Sequence, residues 1–180
     1  TQLRAAWTNS VVRPTFGQLA PGFEITSNDE AAFGNPNLKP LESVNYDLGI
    51  EHYMGRAGAV SAFLFYKDID NFIYNTALAG TGQWADFAEA LSYENGRGAT
   101  LYGIELAYSQ IFDWLTAPCN GLLLGSNATF SRSDADIEGQ GAKRSIDLPN
   151  HSDTVGNLMI GWENERFNTR AAATAGVGPA

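Results

Sequence analysis

The stretch GNPNLKPLESVNYDLGIE, residues 34–51, decides the fold class of this chain. Its second half alternates strictly: Tyr46, Leu48 and Ile50 fall on one side, and polar or small residues fall between them. A period of two residues predicts a β-strand with one apolar face and one polar face. The two prolines exclude a helix across the first half and favour an extended path. The stretch is therefore predicted to be a surface loop that leads into a two-faced strand.

The same alternation recurs along the chain and predicts an all-β protein of about seven antiparallel strands. In one of these strands Tyr102, Ile104, Leu106 and Tyr108 share one side. The predicted strands cover residues 2–12, 43–54, 58–72, 97–110, 121–133, 151–162 and 166–175.

The connections between these strands alternate in length. The long, polar ones are residues 13–42, 75–96 and 134–150, and the short ones are residues 55–57, 113–120 and 163–165. Long extracellular loops at one edge and short periplasmic turns at the other are typical of an up-and-down transmembrane β-barrel. Aromatic residues near both strand ends agree with the interfacial girdles of such barrels.

Composition leaves a second fold open. The net charge of −9 and the pI near 4.5 argue against a nucleic-acid partner. The same acidity, with a mean hydropathy of −0.20, supports the alternative of a soluble or secreted antiparallel β-sandwich that binds carbohydrate or a protein partner. The outward face separates the two folds, because a sandwich needs polar residues there. A barrel instead needs the Tyr102 to Tyr108 side of its strand to face lipid.

Residues 34–51 resemble the NPxLKPE…NYELGLE signature of TonB-dependent outer-membrane receptors, with Leu41 inserted ahead of Glu42. Further motifs of that family occur in the same order, including FYKDI at residues 65–69. The signature residues are Arg13, Pro14, Asn35, Pro36, Leu38, Lys39, Pro40, Tyr46, Gly49, Glu51, Gly103 and Glu105.

The resemblance implies a fold, a location and a function. Residues 1–180 would be part of the β-barrel domain of a receptor of about 22 strands, without its plug domain and terminal strands. The barrel would lie in the outer membrane of a Gram-negative bacterium, in contact with lipid. It would take up a scarce large solute, namely a ferric siderophore, a cobalamin-like molecule or an oligosaccharide. The TonB complex would energise uptake through the missing plug.

Candidate site residues come from one loop and from the polar strand faces. Trp84, Asp86, Phe87 and Glu89 are predicted to contact an extracellular ligand or to pack the loop upon itself. On the polar faces Asp47, Glu51 and Glu105 would line the lumen, where Arg4 and Arg170 could pair with them.

No residue pattern indicates an enzyme or a cofactor. His52 and His151 lie far apart with no Cys or His nearby, which is not the spacing of a metal site. The serines lack a nucleophile-elbow context. Residues 134–139, DADIEG, begin like a calcium loop, but Ser145 stands where the last ligand should be a Glu, so an acidic loop is the favoured interpretation.

Overall fold

Seven long strands form one antiparallel meander in the computed structural model, which describes residues 1–25, 30–55, 58–139, 142–148, 151–163 and 167–178. All seven correspond to predicted strands. Numbered along the chain and given in their order across the sheet, they are β1 (Gln2–Val12), β4 (Leu41–Met54), β5 (Gly58–Asp70), β8 (Gly98–Phe112), β9 (Leu122–Gly139), β11 (Thr154–Glu163) and β12 (Asn168–Val177). The predicted turns at residues 55–57 and 163–165 lie largely outside the described residues.

The register of the sheet sorts its side chains onto two faces. One row across four strands joins aromatic residues only: Trp7, Tyr46, Tyr66 and Tyr102. The next row on the same side joins Leu48, Leu64, Ile104 and Phe130. We call this side the outer face, and the opposite side, which carries Asn45 and Asp47, the inner face.

The outer face is apolar over a defined height. Tyr46 and Leu48 are 52% and 57% exposed, whereas Ser43 and Asn45 on the inner face are each 8% exposed, which shows that the inner side is crowded at the long-loop end of the sheet. Beyond the aromatic row the outer face becomes acidic, with Glu42, Asp68, Asp70, Asp134 and Asp136 in the next two rows. From Tyr46 to the end of β4 at Met54 the strand runs about 27 Å, which at a barrel tilt of about 40° spans about 21 Å of the height of an apolar band about 25 Å tall.

A second sheet occupies two of the predicted loops. Its four strands are β2 (Phe23–Ile25), β3 (Glu30–Phe33), β6 (Ile73–Ala77) and β7 (Glu89–Asn95), in the order β2-β3-β7-β6. The pairing of β3 with β7 is parallel and joins the loop after β1 to the loop after β5. The prediction of irregular loops at residues 13–42 and 75–96 was therefore wrong in part, because strands this short are specified by a partner distant in sequence.

The prediction that residues 134–150 form a loop was also wrong in part. Strand β9 continues to Gly139 and pairs there with β10 (Ala142–Ile146). Alternation continues through this extension, where Ala135 is fully buried between the exposed residues Asp134 and Asp136. Ser145 Oγ donates a 2.8 Å hydrogen bond to Asp134 Oδ2 across the hairpin. Residues 134–139 are thus a strand with a polar outer face and not a calcium loop.

The loop after β1 contains the one short α-helix of the described residues, α1 (Phe16–Leu19). Thr15 and Gln18 close its first turn as a capping box. Among the described residues no helix has the length and apolar character to cross a bilayer. Where the long loops meet the inner face, Ile69, Phe72, Tyr74, Ala99 and Ala135 form a buried cluster.

Candidate functional site

An open cavity of about 660 Å³ lies on the inner face of the main sheet. Asp47 and Glu105 contribute carboxylates, Lys67 contributes an ammonium, and Phe65 contributes an apolar surface. His151 comes from the segment that precedes β11. Charges of both signs beside an aromatic ring suit a water-filled wall that contacts a polar solute or another part of the protein.

Two signature glycines make room for the aromatic rings of this wall. Gly49 lies opposite Phe63, and Gly103 lies opposite Phe65, in adjacent cross-strand pairs. A Cβ atom at Gly49 would overlap Phe63 Cδ1 and Cε1 and come within 2.8 Å of Phe63 Cγ. One at Gly103 would overlap the Phe130 backbone carbonyl oxygen and come within 2.7 Å of Phe65 Cζ. Each ring therefore occupies space that a side chain at the facing glycine would fill, which is how aromatic residues compensate for glycines in curved sheets. At Gly103 the close approach of the β9 backbone is a second reason for glycine.

Ion pairs and amide networks fix the remaining polar groups of the inner face. Arg4 Nη2 lies 2.8 Å from Glu51 Oε2, as the parity of the two strands predicts. Arg170 instead contacts Glu163 at 3.5 Å, at the end of β11. Asn45 Nδ2 donates hydrogen bonds of 3.2 and 3.1 Å to hydroxyl oxygens of β1, so the neighbouring strands are also joined through side chains.

The segment before β11 is bound to the inner face of β9. The backbone N–H of Leu148 donates a 3.0 Å hydrogen bond to Ser133 Oγ. His151 Nε2 lies 3.2 Å from Ser131 Oγ and 3.8 Å from a carboxylate oxygen of Asp153. Because one ring nitrogen faces both groups, the arrangement differs from a catalytic triad, in which the two nitrogens of the histidine have separate partners.

At the long-loop end of the main sheet, a single asparagine ties down the signature stretch. Asn95 Oδ1 accepts a 2.8 Å hydrogen bond from the Lys39 N–H, and Asn95 Nδ2 donates to the Lys39 carbonyl at 3.1 Å. The same Nδ2 donates to the carbonyl of Asn71 at 2.8 Å, where the backbone has a φ of 55°. We call this set of contacts the asparagine clasp. It joins the end of β7 to the loops that precede β4 and β6.

Two further signature residues, Asn35 and Leu38, lie at the same junction. Asn35 Nδ2 donates to the Tyr93 carbonyl at 3.0 Å, and Leu38 is 8% exposed. Arg13 and Pro14 connect β1 to α1. Sequence reasoning placed Asn71 and Asn95 in segments that resemble the family's but assigned them no contact, because nothing in their neighbourhood distinguishes a clasp from an ordinary turn.

The four candidate loop residues divide between packing and exposure. Trp84 is 9% exposed, stacks on Phe33 at a centroid distance of 4.6 Å and meets Phe87 edge-on at 5.0 Å. Asp86 and Glu89 are exposed. The segment therefore packs on its own Phe87 and on Phe33 of β3, and its carboxylates are exposed. Within the described part of the chain, no group of three or more His, Cys, Asp or Glu side chains could hold a metal ion.

The family model described as "TonB dependent receptor-like, beta-barrel" matches residues 1–178. This chain belongs to the TonB-dependent receptor β-barrel family. The predicted family, fold class and Gram-negative outer-membrane location are thereby confirmed. The apolar outer face is the lipid-facing surface of this TonB-dependent receptor barrel, and the inner face is its lumen wall.

Individual relatives agree with the family assignment. The chain is 28% identical over 169 residues to the iron-regulated outer membrane virulence protein of Vibrio cholerae, covering 89% of this chain and 23% of that protein. Its fold is similar to the ferric enterobactin receptor of Pseudomonas aeruginosa, with a TM-score of 0.61, 21% identity, and coverage of 96% of this chain and 25% of that one. The siderophore receptor PirA of the same organism gives a TM-score of 0.56 at 19% identity, covering 96% of this chain and 35% of that one. The chain thus spans about a quarter of the curated relative.

Proposed function

We propose that this chain is part of the barrel wall of a receptor that takes up a ferric siderophore across the outer membrane. The observation that carries the proposal is the two-faced main sheet, whose outer face is apolar and whose inner face is a polar wall with an open cavity of about 660 Å³. Such a wall suits passage of a large polar solute. An iron-regulated relative and two solved siderophore receptors favour a ferric siderophore over a cobalamin-like molecule or an oligosaccharide.

We infer the remaining parts of the proposed transport system from the family. Residues 1–180 act as part of one barrel domain, and other parts of a full-length receptor supply the remaining strands and a plug. The TonB complex acts on that plug to drive transport. The barrel wall performs no bond chemistry of its own, so a cofactor has no role in it.

The β-sandwich alternative is not favoured. Tyr102 and Leu106, which a soluble sandwich would have to replace with polar residues, are 47% and 40% exposed on the outer face. An apolar surface across several strands is costly in water and stable in lipid.

Ligand contact is proposed for the exposed carboxylates between β6 and β7. Asp86 lies in the connecting loop and Glu89 is the first residue of β7, and the contact of Trp84 with Phe87 holds this segment in shape. The aromatic pair therefore acts by positioning the loop, and the carboxylates act by contacting a cation or hydroxyl of the ligand. Asp86→Asn and Glu89→Gln should each lower ligand affinity in the full-length receptor without changing its yield. Asp68→Asn on the outer face should change neither the affinity nor the yield.

The function is tested by uptake in cells that lack the full-length receptor. Radioactive iron bound to enterobactin or to a hydroxamate siderophore, cyanocobalamin and a maltodextrin serve as probes. We expect deletion to abolish uptake of a ferric siderophore, plasmid-borne receptor to restore it, and loss of TonB to abolish it again. Selective loss of cobalamin or maltodextrin uptake, or transport that persists without TonB, would contradict the proposal.

A further inference from the structure

The outer face carries a depression of about 410 Å³ within its apolar band. It is lined mainly by apolar side chains: Ile50, Val60, Ala62, Leu106 and Ala128. His52, Tyr108 and Ser126 also line it. A lipid-facing barrel surface has no general need for a recess, so its cause lies in the particular residues present.

Register explains the recess. One row across the sheet reads Ile50, Ala62, Leu106 and Ala128, which alternates large and small side chains from strand to strand. Alanines on β5 and β9 therefore form troughs beside taller side chains on β4 and β8. The row continues to Gly156 on β11, which has no side chain to close the trough.

Among the outer-face side chains that line the recess, the polar ones lie at one end. The row nearer the short turns contains His52, Tyr108 and Ser126. His52 follows the aromatic residue Tyr46 by six positions, which is about 20 Å along the strand, and precedes the end of β4 by two. The polar end thus lies near the periplasmic interface. His52 Nδ1 is 2.8 Å from Thr1 Oγ1, a contact that orients the ring.

We propose that this recess is a binding site for one phospholipid of the periplasmic leaflet. An acyl chain lies in the troughs over Ala62 and Ala128, and the phosphate-bearing headgroup lies beside His52 and Tyr108. The occupant is a lipid because the recess is continuous with the lipid-facing band. An imidazole N–H and a phenol O–H are donors that suit phosphate and ester oxygens. No Asp, Glu, Lys or Arg side chain lines the recess, so an acyl chain meets no such charge in its interior.

The test uses the full-length receptor, reconstituted in vesicles of phosphatidylethanolamine and phosphatidylglycerol, then extracted in mild detergent for native mass spectrometry. Ala62→Leu with Ala128→Leu fills the troughs. The matched control is Ala5→Leu with Ala171→Leu, which adds the same volume to outer-face alanines outside the recess. Heat-modifiable gel mobility verifies that each variant is folded.

We expect wild type and control to retain one phospholipid that the filled variant loses, with at least a ten-fold lower lipid-bound fraction in the filled variant. Equal retention in all three proteins would overturn the proposal. So would a filled variant that keeps its lipid but changes oligomeric state, because the recess would then be a protein contact. If the filled variant fails to fold, His52→Ala tests the site instead, because this substitution leaves the apolar troughs intact. It should lower retention several-fold, and unchanged retention would reject the site.

Discussion

Replacing the signature glycine Gly49 with alanine should destabilise the barrel through one aromatic ring. The new Cβ would overlap Phe63 Cδ1 and Cε1 and lie 2.8 Å from Cγ, whereas ordinary contact begins at 3.4 Å. The whole ring must therefore move, and even its base must shift by at least 0.6 Å. Rotating a side chain off its rotamer costs about 0.5–1.5 kcal/mol, and overpacking a well-filled site costs about 1–3 kcal/mol. Alanine regains roughly 0.5–1 kcal/mol because glycine is unfavourable in a strand. We expect a net loss of about 2 kcal/mol.

The assay is urea unfolding of the full-length receptor in vesicles, followed by tryptophan fluorescence and heat-modifiable mobility. Gly156→Ala is the matched control, because a Cβ there would meet only the Asn127 carbonyl oxygen at 4.0 Å. That substitution should be neutral or slightly stabilising. Phe63→Ala removes the obstacle, so the double variant with Gly49→Ala should be no less stable than Phe63→Ala alone.

The double-mutant cycle isolates the contact between the two residues. A coupling free energy of at least about 1 kcal/mol between Gly49→Ala and Phe63→Ala is expected for residues in direct contact. If the two effects simply add, or if Gly49→Ala matches Gly156→Ala, then the glycine does not act by accommodating the ring, and the explanation of the signature fails.

Three further substitutions test the loops and the inner face. Asn95→Ala removes three hydrogen bonds of the asparagine clasp and should raise protease cleavage of the extracellular loops several-fold, whereas Asn75→Ala at an exposed position of β6 should not; equal cleavage rules out the clasp. Trp84→Ala removes the centre of the loop cluster at a cost of about 3 kcal/mol or more, so hydrogen exchange in β3 and β7 should accelerate; unchanged protection would show that the cluster does not hold the second sheet. Glu51→Gln should cost less than about 1 kcal/mol and lose that effect at high salt, because Arg4 is more than half exposed; a larger, salt-insensitive loss would show that the pair is buried from ions.

Much of the candidate site was predictable from residues, but its organisation was not. Parity alone placed Arg4 and Glu51 on one face, and the structure pairs them at 2.8 Å. Parity could not show that Gly49 and Gly103 accommodate rings, since that depends on the register between β4, β5 and β8. Trp84 likewise had two open interpretations until its stacking on Phe33 was known.

The sequence by itself determined the seven main strands, their apolar faces and the family, because alternation is a local property and a signature is read along the chain. Only the tertiary structure decided which residues the loop at the start of the signature contacts. The parallel pairing of β3 with β7 and the clasp at Asn95 join residues more than fifty positions apart. Such contacts depend on the cost of closing long loops and on exact register, which no local pattern records.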